Sequence, residues 1–182
     1  MHNRQEQLDD ELLVIRCQQG DDKAFSELVG KWQRRLWRYA FRVSGSEAAA
    51  WDIVQDTWYG VIKGLRKLDD VSAYPCWVFR VLNNKCADWA RKHDLQSRLD
   101  KNLEENLLRK TNQRANEKMD LLQTAIEKLT PERRALIMLR YKEDFDIGQI
   151  AKILNIPEGT VKSRLNRTVN ELRRLVEQNK NG

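Results

Sequence analysis

Apolar residues recur at spacings of three and four along most of the chain, the signature of helices with one buried face. Over residues 22–44 the stripe is Phe25, Leu28, Val29, Trp32, Leu36, Tyr39 and Val43. A shorter helix over 9–19 precedes it, with Leu12, Leu13 and Ile15 to bury. Ser44-Gly45-Ser46 punctuates, and Ser46 is placed to cap a third helix reaching about residue 66. That helix carries Trp51, Val54, Trp58, Val61 and Leu65 at helical spacing. "LDDVSAYP" reads as a loop, and a fourth helix over 76–92 turns Val78, Leu82, Cys86 and Trp89 inward.

The pattern then fades. Residues 94–117 hold five acids, five bases and no aromatic, too little apolar content for a core, which predicts a flexible linker. Periodicity resumes at 119–128. "LTPERR" follows as a helix start, with Thr130 as N-cap, Pro131 at the first position and Glu132 in the first turn, and that helix runs to about 142. Two more cover 146–154 and 158–178. The expected fold is all-α: two small helical domains, 1–93 and 118–182, joined by the flexible linker 94–117, folding separately and moving relative to each other.

Composition narrows the function. Eight Gly and three Pro in 182 residues, with a third of the chain charged, favour helices over sheets. The net charge is +6, concentrated in the second domain, which by count is +4 against +2 for residues 1–92. This makes nucleic acid a candidate partner. No apolar run is long enough to span a membrane and no signal-peptide core opens the chain, so a cytoplasmic protein is expected. Cys17, Cys76 and Cys86 lack metal or redox spacing and read as free thiols. With only His2 and His93, no Walker loop and no nucleophile elbow, no catalytic residue, metal or cofactor is expected. Gly60 and Gly64 form a G-x-x-x-G outside any apolar 20-mer, which carries little weight.

Residues 146–169 fit a helix-turn-helix. Ile147, Ile150, Ala151 and Leu154 form the inner face of its first helix. Asn155 suits a left-handed helix end, and Pro157 opens the second helix. There Val161, Leu165, Thr168 and Leu172 point inward, and Gly159, Lys162, Ser163, Asn166, Arg167 and Asn170 point outward. Base edges and phosphates are the matching ligands, with Lys162 and Arg164 placed for phosphate. A solvated surface helix is the plain alternative.

Three ordered blocks then resemble one family. "GDDKAFSELVGKWQRRLWRYAFRVSGSEAAAWDIVQDTWYGVIKGLRKL" is similar to the first conserved half of an extracytoplasmic-function (ECF) sigma factor of the sigma-70 family. "CWVFRVLNNKCADWARK" resembles its promoter-melting helix, and "LTPERRALIMLRYKEDFDIGQIAKILNIPEGTVKSRLNR" its promoter-reading domain. The resemblance implies a non-catalytic specificity subunit of bacterial RNA polymerase. Asp52, Gln55, Asp56 and Tyr59 would dock on the clamp of the largest core subunit. Trp77, Arg80, Asn84, Asp88, Arg91 and Lys92, with loop 68–74, would hold the unstacked minus-ten strand. Gly159, Thr160, Lys162, Ser163, Arg164, Asn166 and Arg167 would read the minus-thirty-five duplex. An anti-sigma protein would restrain it.

The chain departs from the family at Ala49, Ala50 and Trp51, where acids are usual, leaving Asp52 and Asp56 to carry the charge. Trp51 then reads as core or as an interface anchor, and phosphorylation of Thr57 would restore negative charge. Asn166 and Val169 stand where the family often has an aromatic and an Arg, so a different consensus is expected. Two rivals remain: a stand-alone helix-turn-helix regulator, and a sigma-like decoy that binds only an anti-sigma protein.

Overall fold

The computed structural model describes residues 4–99 and 117–180. Eight α-helices occupy them, with no strand among the described residues: α1 (Arg4–Gln18), α2 (Asp22–Ser44), α3 (Glu47–Gly64), α4 (Tyr74–Leu99), α5 (Glu117–Glu127), α6 (Pro131–Tyr141), α7 (Ile147–Leu154) and α8 (Glu158–Lys180). Short 3-10 turns at Leu65–Lys67 and Val71–Ala73 bridge α3 to α4. The family-type division into two helical units is as expected. The helix α4 continues six residues past the expected boundary, to Leu99, and the rest of the expected linker lies outside the described residues.

Local chemistry sets the helix ends. Asp21 caps α2 by accepting from the backbone N–H of Lys23 and Ala24, and Gly45 ends it at φ 70°. Ser46 caps α3 as expected. Thr130 occupies the N-cap of α6 but makes no side-chain capping bond, so Pro131 at N1 carries that start. Asp146 and Gln149 close a capping box on α7, and Asn155 ends it at φ 52°, ψ 49°.

The first unit packs α1 to α4 around Trp32, Leu36, Tyr39, Phe79 and Leu82. Trp32 meets Tyr74 edge-on at 5.2 Å, and Tyr39 meets Phe79 at 5.3 Å. The expected burial of α1 is corrected by one step. Leu12 and Ile15 are exposed, Leu13 is half-buried, and Asp10 and Val14 point inward. Asp10 goes in because its Oδ1 lies 2.7 Å from Lys31 Nζ and accepts from the Trp32 indole at 3.1 Å. A buried charge with those partners is tolerable.

Gly60 and Gly64 matter here rather than in any membrane. A Cβ on Gly60 would lie 2.8 Å from Val81 Cγ1, and one on Gly64 2.9 Å from the Trp77 ring. The G-x-x-x-G is the seam along which α4 approaches α3.

In the second unit Ala125, Leu129, Ile137 and Leu172 form a small core between α5, α6 and α8. Its other face does not stand free. Leu136, Leu139, Phe145, Ile150, Ile153 and Val161 join the core of the first unit. Five consecutive residues of α6, Ala135 to Leu139, are buried, so the helix is covered on every side. The expected separately moving domains are thus packed together in this structure, α2 against α6 and α4 against α7.

Candidate nucleic-acid interface

Three surfaces carry the residues singled out in the sequence. On α3, Asp52, Gln55, Asp56 and Tyr59 are all exposed on one side. Trp51 is 47 % exposed, tilted over Trp37 at 5.7 Å, and Trp37 stacks on Phe41 at 5.2 Å. Trp51 therefore lies on an aromatic ledge at the surface, outside the inward stripe of Val54, Val61 and Leu65. Ile62, also exposed, extends the apolar strip beside the acids. Thr57 is fully buried and donates its hydroxyl to the Ile53 carbonyl at 2.7 Å. A kinase has no access to it, which removes phosphorylation as a way to restore the charge there.

On α4, Arg80, Asn84, Arg91 and Lys92 are exposed, while Asp88 is partly exposed and pairs with Arg91. Trp77 is half-buried, wedged on Gly64 and near Tyr74. Its ring is committed mainly to packing. The preceding loop is ordered by Asp70, which accepts from Ser72 N–H and Oγ at 3.0 and 2.6 Å. Those two bonds hold the Asp70 carboxyl below its ordinary value. Tyr74, at the end of loop 68–74, is completely buried beneath Trp32, so it cannot face a flipped base. Asp69, Asp70 and Ser72 are the exposed members of that loop.

On α8, Val161, Thr168 and Leu172 are buried, while Gly159, Lys162, Arg164, Asn166 and Arg167 are exposed. Thr160 and Ser163 are half-buried, and Ser163 donates its hydroxyl to the Thr160 carbonyl at 3.1 Å. The Ser163 oxygen keeps lone pairs for an incoming donor. The turn chemistry at Asn155 and Pro157 fixes the angle at which this face is presented.

The structure sets one edge of the third surface against a side of α4 that carries none of the residues singled out there. Arg164 and Arg167 line a cleft of about 460 Å³ whose other wall includes Asn83, Ala87 and Ala90 of α4. A second cleft places Gln149 and Lys152 of α7 over Ser72 and Cys76, beside the ordered loop. The Cys76 thiol is 3.7 Å from the Gln149 carbonyl. In the wall of the second cleft Arg35 bonds Glu143, and Phe145 meets Phe79. Sequence reasoning passed over these four residues. The available signal was Phe145 itself, one aromatic among the acids of "KEDFD".

Among the described residues no group of His, Cys, Asp and Glu could hold a metal, and no helix is long and apolar enough to cross a membrane.

Comparison with known proteins places the chain in a family. The description "Sigma-70 region 2" matches residues 28–96, and "Sigma-70, region 4" matches residues 119–172. The ECF RNA polymerase sigma factor SigL of Mycobacterium tuberculosis is 33 % identical over 148 residues, covering 79 % of this chain and 83 % of its own. The ECF sigma factor SigW of Bacillus subtilis is 26 % identical over 174 residues, covering 88 % and 93 %. Among solved structures, the sigma factor RpoE in complex with the anti-sigma factor NepR from Bartonella quintana matches with a TM-score of 0.70 at 24 % identity, covering 85 % of this chain and 98 % of its own. CnrH in complex with the cytosolic domain of CnrY matches with a TM-score of 0.66 at 21 % identity, covering 93 % and 98 %.

Proposed function

The chain belongs to the ECF sigma factors of the sigma-70 family, and from that premise we propose how its surfaces divide the work. It is an alternative sigma factor for transcription initiation and not an enzyme. Residues 1–93 serve polymerase docking and minus-ten recognition, and residues 118–182 read the minus-thirty-five element.

The observation that carries the docking assignment is the outer face of α3. Asp52 and Asp56 sit one turn apart, exposed, with Tyr59 and Gln55 beside them and the Trp51 ledge above. Carboxylates flanked by an exposed aromatic suit a basic helix of the polymerase clamp with an apolar contact at its centre. On α4, Arg80, Asn84, Arg91 and Lys92 supply the backbone charge and amide contacts of a melted strand, with Asp88 setting Arg91. On α8, Arg167 and Asn166 face base edges, and Lys162 and Arg164 face phosphates. The chain works in the cytoplasm. An anti-sigma protein restrains it, a partner class suggested by the sigma factor RpoE, of similar fold, solved in complex with the anti-sigma factor NepR.

Core-polymerase affinity tests the docking face. Asp56→Arg reverses a charge within the proposed interface and should weaken binding strongly. As an exposed substitution it should change stability by under about 0.5 kcal/mol. Trp51→Ala should also weaken binding. Its stability loss should fall short of the roughly 3–5 kcal/mol of a fully buried aromatic. Wild-type affinity in both variants would refute the assignment of α3.

A further inference from the structure

Helix α1 is amphipathic the wrong way round. Its inner face is Asp10, Val14 and Gln18, spaced by four, the first two buried and the third half-buried. Asp10 meets Lys31 Nζ at 2.7 Å and accepts from the Trp32 indole at 3.1 Å. The Gln18 amide donates to the Leu65 and Leu68 carbonyls at 2.9 and 2.8 Å, in the turn after α3. These bonds fix the rotation of the helix about its own axis. Turning it to bury other residues would strand the Asp10 carboxylate and break both contacts of Gln18.

Large apolar residues are therefore left outside. Leu8, Leu12 and Ile15 are 48, 61 and 41 % exposed and stand at i, i+4 and i+7, one stripe along the outer face. Single exposed leucines are ordinary, but a contiguous row on a helix that cannot turn to bury it is an unpartnered face.

Charge selects the occupant. Residues 4–27 hold seven acids against three bases, in a chain of net charge +6. At the helical period Glu11 borders the stripe on one side and Asp9 on the other. Arg16, beside Asp9, is tied to Asp21 at 2.7 Å and lies 3.9 Å from Glu27. Arg4, one turn before Leu8, is the other cation of the helix. An acidic border repels nucleic acid and an anionic membrane. It also opposes itself across a two-fold axis, and a two-fold interface needs about 800 Å² from each partner, more than three half-exposed side chains offer. A single amphipathic helix fits, with apolar residues along one face and Lys or Arg on both borders.

We propose that α1 is a docking face for a basic amphipathic helix of a partner protein other than polymerase, held by Leu8, Leu12 and Ile15 and oriented by Asp9 and Glu11. Helix α1 packs mainly on α2 and on the turns Leu65–Lys67 and Val71–Ala73. It contributes no residue to the three surfaces assigned above. The partner therefore binds without displacing polymerase or promoter, and the inference stands apart from the sigma-factor reading.

The test uses full-length protein and synthetic helices of about five turns, read by fluorescence anisotropy. One carries a Leu stripe bordered by Lys, one the same stripe bordered by Glu, and one the first composition scrambled. The Lys-bordered helix should bind the wild type at least about tenfold tighter than either other. Leu12→Gln, which keeps helix propensity and should leave the melting curve in place, should weaken that binding about tenfold, the worth of burying one Leu. Ile62→Gln, the same kind of change at an exposed residue of α3, should leave it unaltered. Asp9→Lys combined with Glu11→Lys should reverse the preference, so that the Glu-bordered helix binds best. Core-polymerase affinity and run-off transcription should be alike for Leu12→Gln and the wild type. Absent or charge-blind binding of the helices overturns the proposal, as does binding lost in Ile62→Gln but kept in Leu12→Gln. Core affinity that falls with Leu12→Gln would overturn it by making the stripe part of the polymerase interface. A wild-type dimer in sedimentation that Leu12→Gln dissociates would overturn it by making the occupant a second copy.

Discussion

Single residues carry the sharpest consequences. Gly60 and Gly64 permit an α3–α4 approach that a methyl group would obstruct, at 2.8 Å from a stiff Val81 and 2.9 Å from Trp77. Overpacking of this kind costs about 1–3 kcal/mol, against a helix-propensity gain of about 1 kcal/mol for Gly→Ala. Gly60→Ala should therefore lower the urea midpoint, where a surface Gly→Ala such as Gly30→Ala, with open space around it, should raise it slightly. Buried acids set the alkaline limit. Burial pushes the Cys86 thiol up to about 12 and raises Tyr39 and Tyr74 well above the usual phenol range. In the unfolded chain a thiol ionises near about 8.5. Cys86 therefore costs the fold nothing below that pH, and stability falls as pH rises from there toward about 12. The slope approaches about 1.4 kcal/mol per pH unit for each such group. Denaturation midpoints at pH 7.5, 8.5 and 9.5 should drop at the highest value, and less so in Cys86→Ala. An unchanged slope in that variant would show that the thiol is not responsible. On the reading helix, Arg167→Ala should cost about 1–3 kcal/mol of discrimination between matched and mutated minus-thirty-five elements. Lys162→Ala should weaken both alike and reduce the salt slope by about one. Equal losses for Arg167→Ala would make it a phosphate contact.

Helices were legible where one face is apolar. The limits of α2, α6, α7 and α8 follow from their caps and stripes, because Asp21, Pro131, Asp146 and Asn155 satisfy or end the helix locally. Helix α1 was misjudged because its inner face is partly ionic. Nothing local marks Asp10 for burial, since only the fold brings Lys31 and the Trp32 indole to it. Trp51 fell at helical spacing with the core yet faces out, because Ala50, Ile53 and Val54 already fill the space between α2 and α3. The exposed faces of α3 and α8 were readable, since they need only the helical period. Their relation to each other was not, because it depends on Arg35, Glu143 and Phe145, distant in sequence. The run Ala135–Leu139 is buried on all sides, which the sequence reading did not draw from it. It yields a test of where the two cores meet. Leu136 faces the larger core and Ile137 the smaller one. Either substitution to Ala should cost about 2–5 kcal/mol. Hydrogen exchange should quicken in α2 and α4 for Leu136→Ala, and only in α5, α6 and α8 for Ile137→Ala. Identical patterns would contradict the division.

At the scale of the molecule, the positive charge, the three surfaces and the family membership describe a protein that acts only on a larger machine. On the proposed assignment each unit would offer few DNA contacts, and polymerase would supply the effective concentration that joins them. The open question for the molecule is therefore whether core polymerase and this chain together do what neither does alone. Run-off transcription on a pool of promoter sequences, with purified bacterial core polymerase and the chain added or omitted, asks this directly. The account predicts initiation at a restricted set of promoters sharing a minus-thirty-five and a minus-ten element, only when both components are present, and its loss with Asp56→Arg. Promoter-specific transcripts that survive Asp56→Arg, or none from any sequence with the wild type, would contradict it.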